Sequence, residues 1–302
     1  MKSEFLAKIQ KNPLPSREGG PISKTFTRAS DFTGLFRLKL SLLNGVAAAG
    51  GYLLFPSAIS GLKIVSAFAG VALLAAGGSA LNQVLEIDLD SRMLRTSQRP
   101  LPMRALTPAQ ATVAGSGVIL TGILLLIAVG GLIPALLGTA ALIWYLAVYT
   151  PLKRRTSLAL PVGALCGAFP PLIGWCLAGG GISDYRIIIL SGLLFLWQVP
   201  HFWLFQHRHE DDYRRAGLPL FDAHLKKTGQ TPFFLLWIIA LTAAALLLPA
   251  FGLIEPPASF WYALFPVPLV FIYFFRSKHL LFSCINGFPL LVTLLLLLQK
   301  CR

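Results

Sequence analysis

The sequence predicts an all-α protein that crosses a membrane about nine times, the number of apolar runs long enough for the task. Three observations lead there. The 302 residues are 55% hydrophobic and only 13% charged, against the roughly 25% charge of an average soluble domain. The mean hydropathy is +0.70. The apolar residues form continuous runs, where a membrane barrel would alternate them. Lipid offers no partner to an unpaired backbone amide, so each run has to be helical.

A hydrocarbon core of ~30 Å takes about 20 residues of helix. The first such run, 35–55, follows a basic segment. The second and third, 61–83 and 108–128, flank a loop holding four Lys or Arg. The fourth and fifth, 130–150 and 158–179, flank one with three, and the sixth and seventh, 187–206 and 232–251, one with five. The eighth and ninth, 260–275 and 280–299, flank one with two. With the eight of the N-terminal segment and the start of the first run, 22 of the 26 basic residues lie on one side. The other side has Lys63 and Arg186, with Lys300 and Arg302 in the C-terminal tail. A net charge of +14 would suggest nucleic acid in a soluble protein, but this partition excludes that partner and instead sets topology. By the positive-inside rule the N-terminus is cytoplasmic and the C-terminus outside, as expected for a bacterial inner-membrane protein.

Residues 1–34 read as a basic, flexible cytoplasmic tail on the anionic leaflet, and 35–302 as one nine-helix domain around a central cavity. Cys166, Cys176, Cys284 and Cys301 form no CxxC pair and read as packing.

Chemistry concentrates in NQVLEIDLDSRMLRTSQRPLP, residues 82–102. If the second helix continues through its charged end, Asn82, Glu86 and Asp90 drift by only ~40° per step and share a face, while Asp88 lies ~200° from Glu86. Oxygen donors on one or two carboxylates, completed by water and phosphate oxygens, suit Mg²⁺ bound with a diphosphate. Arg92, Arg95 and Arg99 would neutralise the phosphates. The alternative is that these acids and bases merely pair with one another and with headgroups. A second acidic cluster, in WQVPHFWLFQHRHEDDYRRAG at 197–217, favours a shared site. On a continuous helix Gln198, His201, Phe205, Arg208 and Asp212 fall within ~80°, with Glu210 opposite. Pro200 is a candidate kink.

His201 sits ~16 Å from Asp212 along such a helix, inside the apolar part. An intramembrane ionisable group is a functional candidate, and equally a neutral interhelical hydrogen bonder. Lys153-Arg154-Arg155 sets topology and stands on the acidic clusters' side. Gly163, Gly167 and Gly174 would let a flat ring approach their helix, unless they serve packing.

Assembled, these segments resemble the protoheme IX farnesyltransferases (heme O synthases) of the UbiA-type intramembrane prenyltransferase superfamily, over about residues 35–295. NQVLEIDLDSRMLRTSQRPLP is similar to that family's first acidic motif and the RT..RPL signature after it. YTPLKRRTSLALPVGALCGAFPPLIGW, residues 149–175, is similar to the segment that separates heme O synthases from quinone prenyltransferases. WQVPHF with EDDYRRAGLPL is similar to the second acidic motif. Glu86 stands where the family more often has Asp, Glu210 where it has Arg or Lys, and near Lys39 its Lys-Pro-Arg reads Lys-Leu-Ser.

The resemblance implies that Asn82, Glu86, Asp90, Asp211 and Asp212 hold Mg²⁺ and farnesyl diphosphate. It implies that Arg95, Arg99, Lys153 and Arg154 steady the phosphates, and that His201, with Gln198 beside it, faces the porphyrin or binds its iron. The reaction implied is farnesyl transfer to a vinyl group of heme b, with water adding afterwards to give heme O. Association with downstream heme-handling enzymes is implied as well. The competing readings are a prenyltransferase for a quinone precursor or another lipid aromatic, and a transporter or assembly factor. A transporter would carry its ionisable groups near the midplane, whereas here only His201 lies deep.

Overall fold

The computed structural model describes residues 29–221, 232–274 and 278–301. Among the described residues the apolar helices are α1 Leu38–Leu54, α2 Gly61–Leu85, α3 Pro108–Gly130, α4 Leu132–Leu152, α5 Ala159–Ala178, α6 Tyr185–Arg208, α7 Pro232–Ala250, α8 Ala258–Phe274 and α9 His279–Lys300; all but the shorter α1 and α8, seven in number, are long and apolar enough to cross a membrane. The described residues contain no strand. Of the expected tail 1–34, residues 1–28 lie outside the described residues, while the remainder belongs to a short helix, Ala29–Phe36.

The ends of the helices follow from local chemistry. Thr107 and Gln110 form a reciprocal capping box before α3, with Pro108 at the first helical position, where its missing N–H costs nothing. The Asp184 side chain accepts the Arg186 amide at the start of α6. That helix runs unbroken through Pro200, so the expected kink does not interrupt it.

Sequence neighbours pack pairwise, α1 on α2, α2 on α3, α3 on α4, α6 on α7 and α8 on α9, and α9 returns to α1. The two halves meet where α5 lies against α1. A Cβ on Gly51 would strike the Pro171 carbonyl, and one on Gly174 the Ala48 carbonyl, so small residues let these backbones touch. Val113, Leu120 and Leu124 of α3 stay exposed, as a lipid-facing surface requires. Polar side chains point inward, and Ser66, Ser79, Asn82 and Gln83 of α2 are all buried. Gln83 Nε2 donates to the Gly34 and Leu35 carbonyls at 3.1 and 2.7 Å, which pins the Ala29–Phe36 helix to α2.

Besides the turns at 264–266 within α8 and at 165–168 within α5, the two helices expected to run on through their charged ends are interrupted. α2 ends at Leu85, Glu86 takes φ −126° and ψ 22°, and a separate helix runs Ile87–Arg92. α6 ends at Arg208, His209 takes φ −118° and ψ 28°, and Glu210–Ala216 follows. Neither break carries Gly or Pro, so propensity does not make it. Tertiary contact does: Leu89 and Met93 after the first break pack on Ala216 and Leu218 after the second, with Tyr213 at the edge. The Asp212 carboxylate accepts the Leu94 and Arg95 amides at 2.9 and 3.2 Å.

Candidate active site

The charged helix ends surround the mouth of a cavity of ≈ 470 Å³ that descends between α2, α4, α5, α6 and α9. Asn82, Glu86 and Asp90 all line it and are all 4% exposed. Asp88 is turned outward, where Arg154 binds both of its oxygens at 2.9 and 2.8 Å. The common face of the three donors therefore survives the break in the helix, and Asp88 stands apart from it.

Each donor is held. Asn82 Oδ1 lies 2.8 Å from the Thr150 hydroxyl, and Asn82 Nδ2 donates to Glu86 Oε2 at 2.9 Å. Lys153 Nζ donates to the same Glu86 oxygen at 2.6 Å. Arg99 places one guanidinium nitrogen on both oxygens of Asp90, at 2.8 and 2.7 Å. Glu86 Oε1 is buried with no partner. A buried carboxylate oxygen is costly to leave unpaired, so this atom marks where a cation fits. Among the described residues no three His, Cys, Asp or Glu converge. The donor set is thus two carboxylates and an amide, the sparse oxygen set that suits Mg²⁺ sharing its shell with water and phosphate.

Cations outnumber carboxylates at the mouth. Arg37, Arg95, Arg99 and Lys153 line it against Glu86 and Asp90. Arg37 and Arg95 make no ion pair among the described residues, and the Arg95 guanidinium rests 5.1 Å from the Phe205 ring centroid. Burial first, and then the charge of Arg99, pulls Arg95 below its ordinary value. Burial likewise pulls the Lys153 ammonium down, against the opposing pull of Glu86. Sites that hold buried cations close to one another are built for an anion. Arg37 joins the Ala29–Phe36 helix to α1 in the left-handed region, at φ 46°, which is uncommon for a side-chain-bearing residue and concentrates at functional positions. Sequence reasoning counted Arg37 only as topological charge.

α4 contains a π-helical stretch, Trp144–Tyr149, a distortion frequent at functional sites. It brings Tyr145 and Tyr149 to the cavity wall with ring centroids 6.0 Å apart. Lys153 Nζ sits 5.4 Å from the Tyr149 ring. Deeper, the His201 ring stacks between Trp197 at 4.8 Å and Phe282 at 5.7 Å. His201 Nδ1 is buried and unpartnered. Gln198, His201 and Asn286 all line the cavity.

Several expected residues stand elsewhere. Asp212 is 7% exposed but its oxygens are spent on the Leu94 and Arg95 amides, and neither it nor the exposed Asp211 lines the cavity. Arg154 grips Asp88 and the Leu85 carbonyl outside the cavity. The glycines expected to admit a flat ring are filled by the protein: Gly163 meets the Tyr149 ring, Gly167 the Gln198 side chain and Gly174 the backbone of α1.

The chain is 60% identical over 265 residues to the protoheme IX farnesyltransferase of Geobacter sulfurreducens, covering 88% of this chain and 97% of that one. It is 38% identical over 228 residues to the protoheme IX farnesyltransferase of Nitratidesulfovibrio vulgaris, covering 75% and 78%. Its fold matches an apo UbiA homolog from Aeropyrum pernix K1 with a TM-score of 0.69 at 20% identity, over 87% of this chain and 98% of that one. It also matches an Archaeoglobus fulgidus UbiA homolog bound to GPP and Mg²⁺, with a TM-score of 0.63 at 15% identity, over 90% and 100%. The model of the UbiA prenyltransferase family matches residues 43–281, and with the cavity and donor set described above, the chain belongs to the UbiA prenyltransferase family.

Proposed function

We propose that the chain transfers the farnesyl group of farnesyl diphosphate to a vinyl group of heme b, giving heme O and diphosphate. The carrying observation is the 60% identity to a protoheme IX farnesyltransferase across nearly the whole of both chains. No observation favours a quinone precursor as acceptor, and the ionisable groups gathered at one mouth argue against a transport path.

In this reading Arg37 and Arg95, the cations without acid partners, receive the diphosphate, and Arg99 and Lys153 complete the cradle. Asn82, Glu86 and Asp90 would hold Mg²⁺, which when bound neutralises charge on the leaving diphosphate. Asp211 and Asp212 stand at the rim and would join them only if the Glu210–Ala216 helix turned inward. The allylic C1–O bond breaks and its electron pair leaves with the diphosphate. The stacked Tyr145 and Tyr149 rings lie below Lys153, where their faces would attract the allylic cation. The terminal vinyl carbon then bonds to C1. The new cation, at the carbon beside the porphyrin ring, takes up water and releases one proton, which gives the hydroxyethylfarnesyl side chain. Until then the apolar walls have to keep water out. The aromatic wall of α6 and α9, with Gln198 and His201, suits a flat acceptor.

Release of inorganic diphosphate by the purified protein should require heme b together with farnesyl diphosphate and Mg²⁺. Release driven instead by a hydroxybenzoate quinone precursor would replace this acceptor.

We also propose that the mouth opens to the cytoplasm in a bacterial inner membrane, the N-terminus inside and the C-terminus outside, as the partition of Lys and Arg implies. Association with enzymes that handle the product belongs to the same proposal. Reporter fusions should place the two termini on opposite sides; both on one side would reject the orientation.

A further inference from the structure

Below the mouth the two sides of the cavity differ. On one, α2, α4 and α5 present Leu74, Ala75, Gly78, Gly138, Ala141 and Ile173, none with a charge or an amide. On the other, α6 and α9 present aromatic rings with the polar heads of Gln198, His201 and Asn286. From Asn82 at the mouth, Gly78, Ala75 and Leu74 follow on one face of α2, and Leu74 lies ~12 Å deeper. The wall stays small down to Leu74, which with Val71 a turn further forms the deep end of the cavity on α2. The end of the Leu74 side chain occupies the place that a Cβ on Gly138 would take, with Leu126 Cδ1 and Ile173 Cδ1 at 3.5 and 3.9 Å from the same point. Leu74 and Ile173 are buried, and Leu126, Ala135 and Leu177, which do not line the cavity, belong to the same packed cluster, so this floor has solid core behind it.

An aliphatic chain hanging from a diphosphate at the mouth meets mainly carbon on the first side, where the polar side chains are Ser79, next to Gly78, Cys166 of α5 and the two tyrosines of α4. A planar acceptor meets rings and hydrogen-bonding groups on the second. We infer that the space between α2, α4 and α5 is the prenyl slot, and that Leu74, seated in the notch left by Gly138, sets the longest chain the slot accepts. The inference rests on the prenyl-transfer reading above and adds its chain-length determinant. Gly138→Ala puts a methyl group where Leu74 now ends, lifting that side chain into the slot and shortening it. Leu74→Ala lowers the floor and lengthens it. With Leu74 truncated, a methyl group at position 138 has no such side chain to lift, so the double variant should follow Leu74→Ala.

The test is binding, without any acceptor, of non-hydrolysable C10, C15 and C20 prenyl thiolodiphosphates with Mg²⁺ to the purified full chain. The wild-type chain should bind C15 tightest. Gly138→Ala should shift the preference toward C10 and Leu74→Ala toward C20, each by about tenfold, the scale on which apolar pockets discriminate a missing or added methylene. Ile173→Ala, which lowers the floor from the α5 side, should move with Leu74→Ala and serves if that variant fails to fold. Folded variants that rank the three lengths as the wild-type chain does would overturn the inference while leaving prenyl transfer standing. A wild-type chain that binds none of the three would overturn both.

Discussion

Lys153 Nζ lies 2.6 Å from Glu86 Oε2, while Glu86 Oε1, in the same buried carboxylate, has no partner. One oxygen is committed to a cation of the protein, and the other is the one proposed above to meet Mg²⁺. The same pairing sets a pH dependence. Burial holds the Lys153 ammonium below its ordinary value, with Glu86 opposing, so the free enzyme loses this charge at a lower pH than a solvated lysine, which titrates near about 10.4. The kcat/KM for the diphosphate, which reports the free enzyme, should therefore fall on the alkaline side. Lys153→Arg keeps its charge throughout and should carry that limb to higher pH. A limb that does not move would take Lys153 out of the diphosphate cradle.

Glu86→Gln and Asp90→Asn keep shape and remove one negative donor each. Each should lower turnover by two or more orders of magnitude, about 3 kcal/mol of transition-state stabilisation. Asp88→Asn should cost far less, because Asp88 and Arg154 form a pair with side chains 50% and 36% exposed, a class of pair worth under about 1 kcal/mol. Raising Mg²⁺ should partly rescue the first two and leave the third unchanged. Steady-state kinetics across a Mg²⁺ series decides it, and an Asp88→Asn defect as deep as that of Glu86→Gln would remove the division between inward and outward acids.

Asp212 separates two roles by the same titration. Its carboxylate accepts two backbone amides, and an asparagine accepts with only one side-chain atom, so Asp212→Asn should loosen the Leu94–Arg95 segment and raise the KM for the diphosphate. Added Mg²⁺ should not restore it. Rescue by Mg²⁺ would show instead that the Glu210–Ala216 helix turns inward and gives Asp212 to the metal. Asp211→Asn, at an exposed position, should change little.

His201→Ala should impair binding and use of heme b more than binding of farnesyl diphosphate, since His201 lies on the aromatic side of the cavity, away from the cations of the mouth. Titrating each substrate separately reads this out. Equal loss of both would indicate a packing defect among Trp197, His201 and Phe282, and undiminished heme turnover would remove His201 from the acceptor side.

Much of this architecture was legible in the sequence. Seven of the nine apolar runs became helices long enough to cross a membrane, and α1 and α8 became shorter ones, because lipid leaves the backbone no other choice. Asn82, Glu86 and Asp90 were expected on one face and do line one cavity. The helical phase that predicted it assumed continuity through Glu86, where the helix breaks. The break was not legible because its causes lie over 100 residues away, in the packing of Leu89 and Met93 on Ala216 and Leu218. For the same reason Asp212 was expected to face the metal, whereas it holds a loop. Arg37 could have been found from its place between a short helix and the first span, and the tyrosines of the α4 π-helical stretch could not, since nothing in WYLAVY departs from an ordinary apolar helix.

The most direct measurement incubates the purified chain with farnesyl diphosphate, Mg²⁺ and heme b, and weighs the porphyrin by mass spectrometry. The account predicts a heme heavier by one farnesyl group and one hydroxyl, formed by the wild-type chain and nearly absent with Glu86→Gln. Heme of unchanged mass, alongside a prenylated quinone precursor from the same preparation, would contradict it.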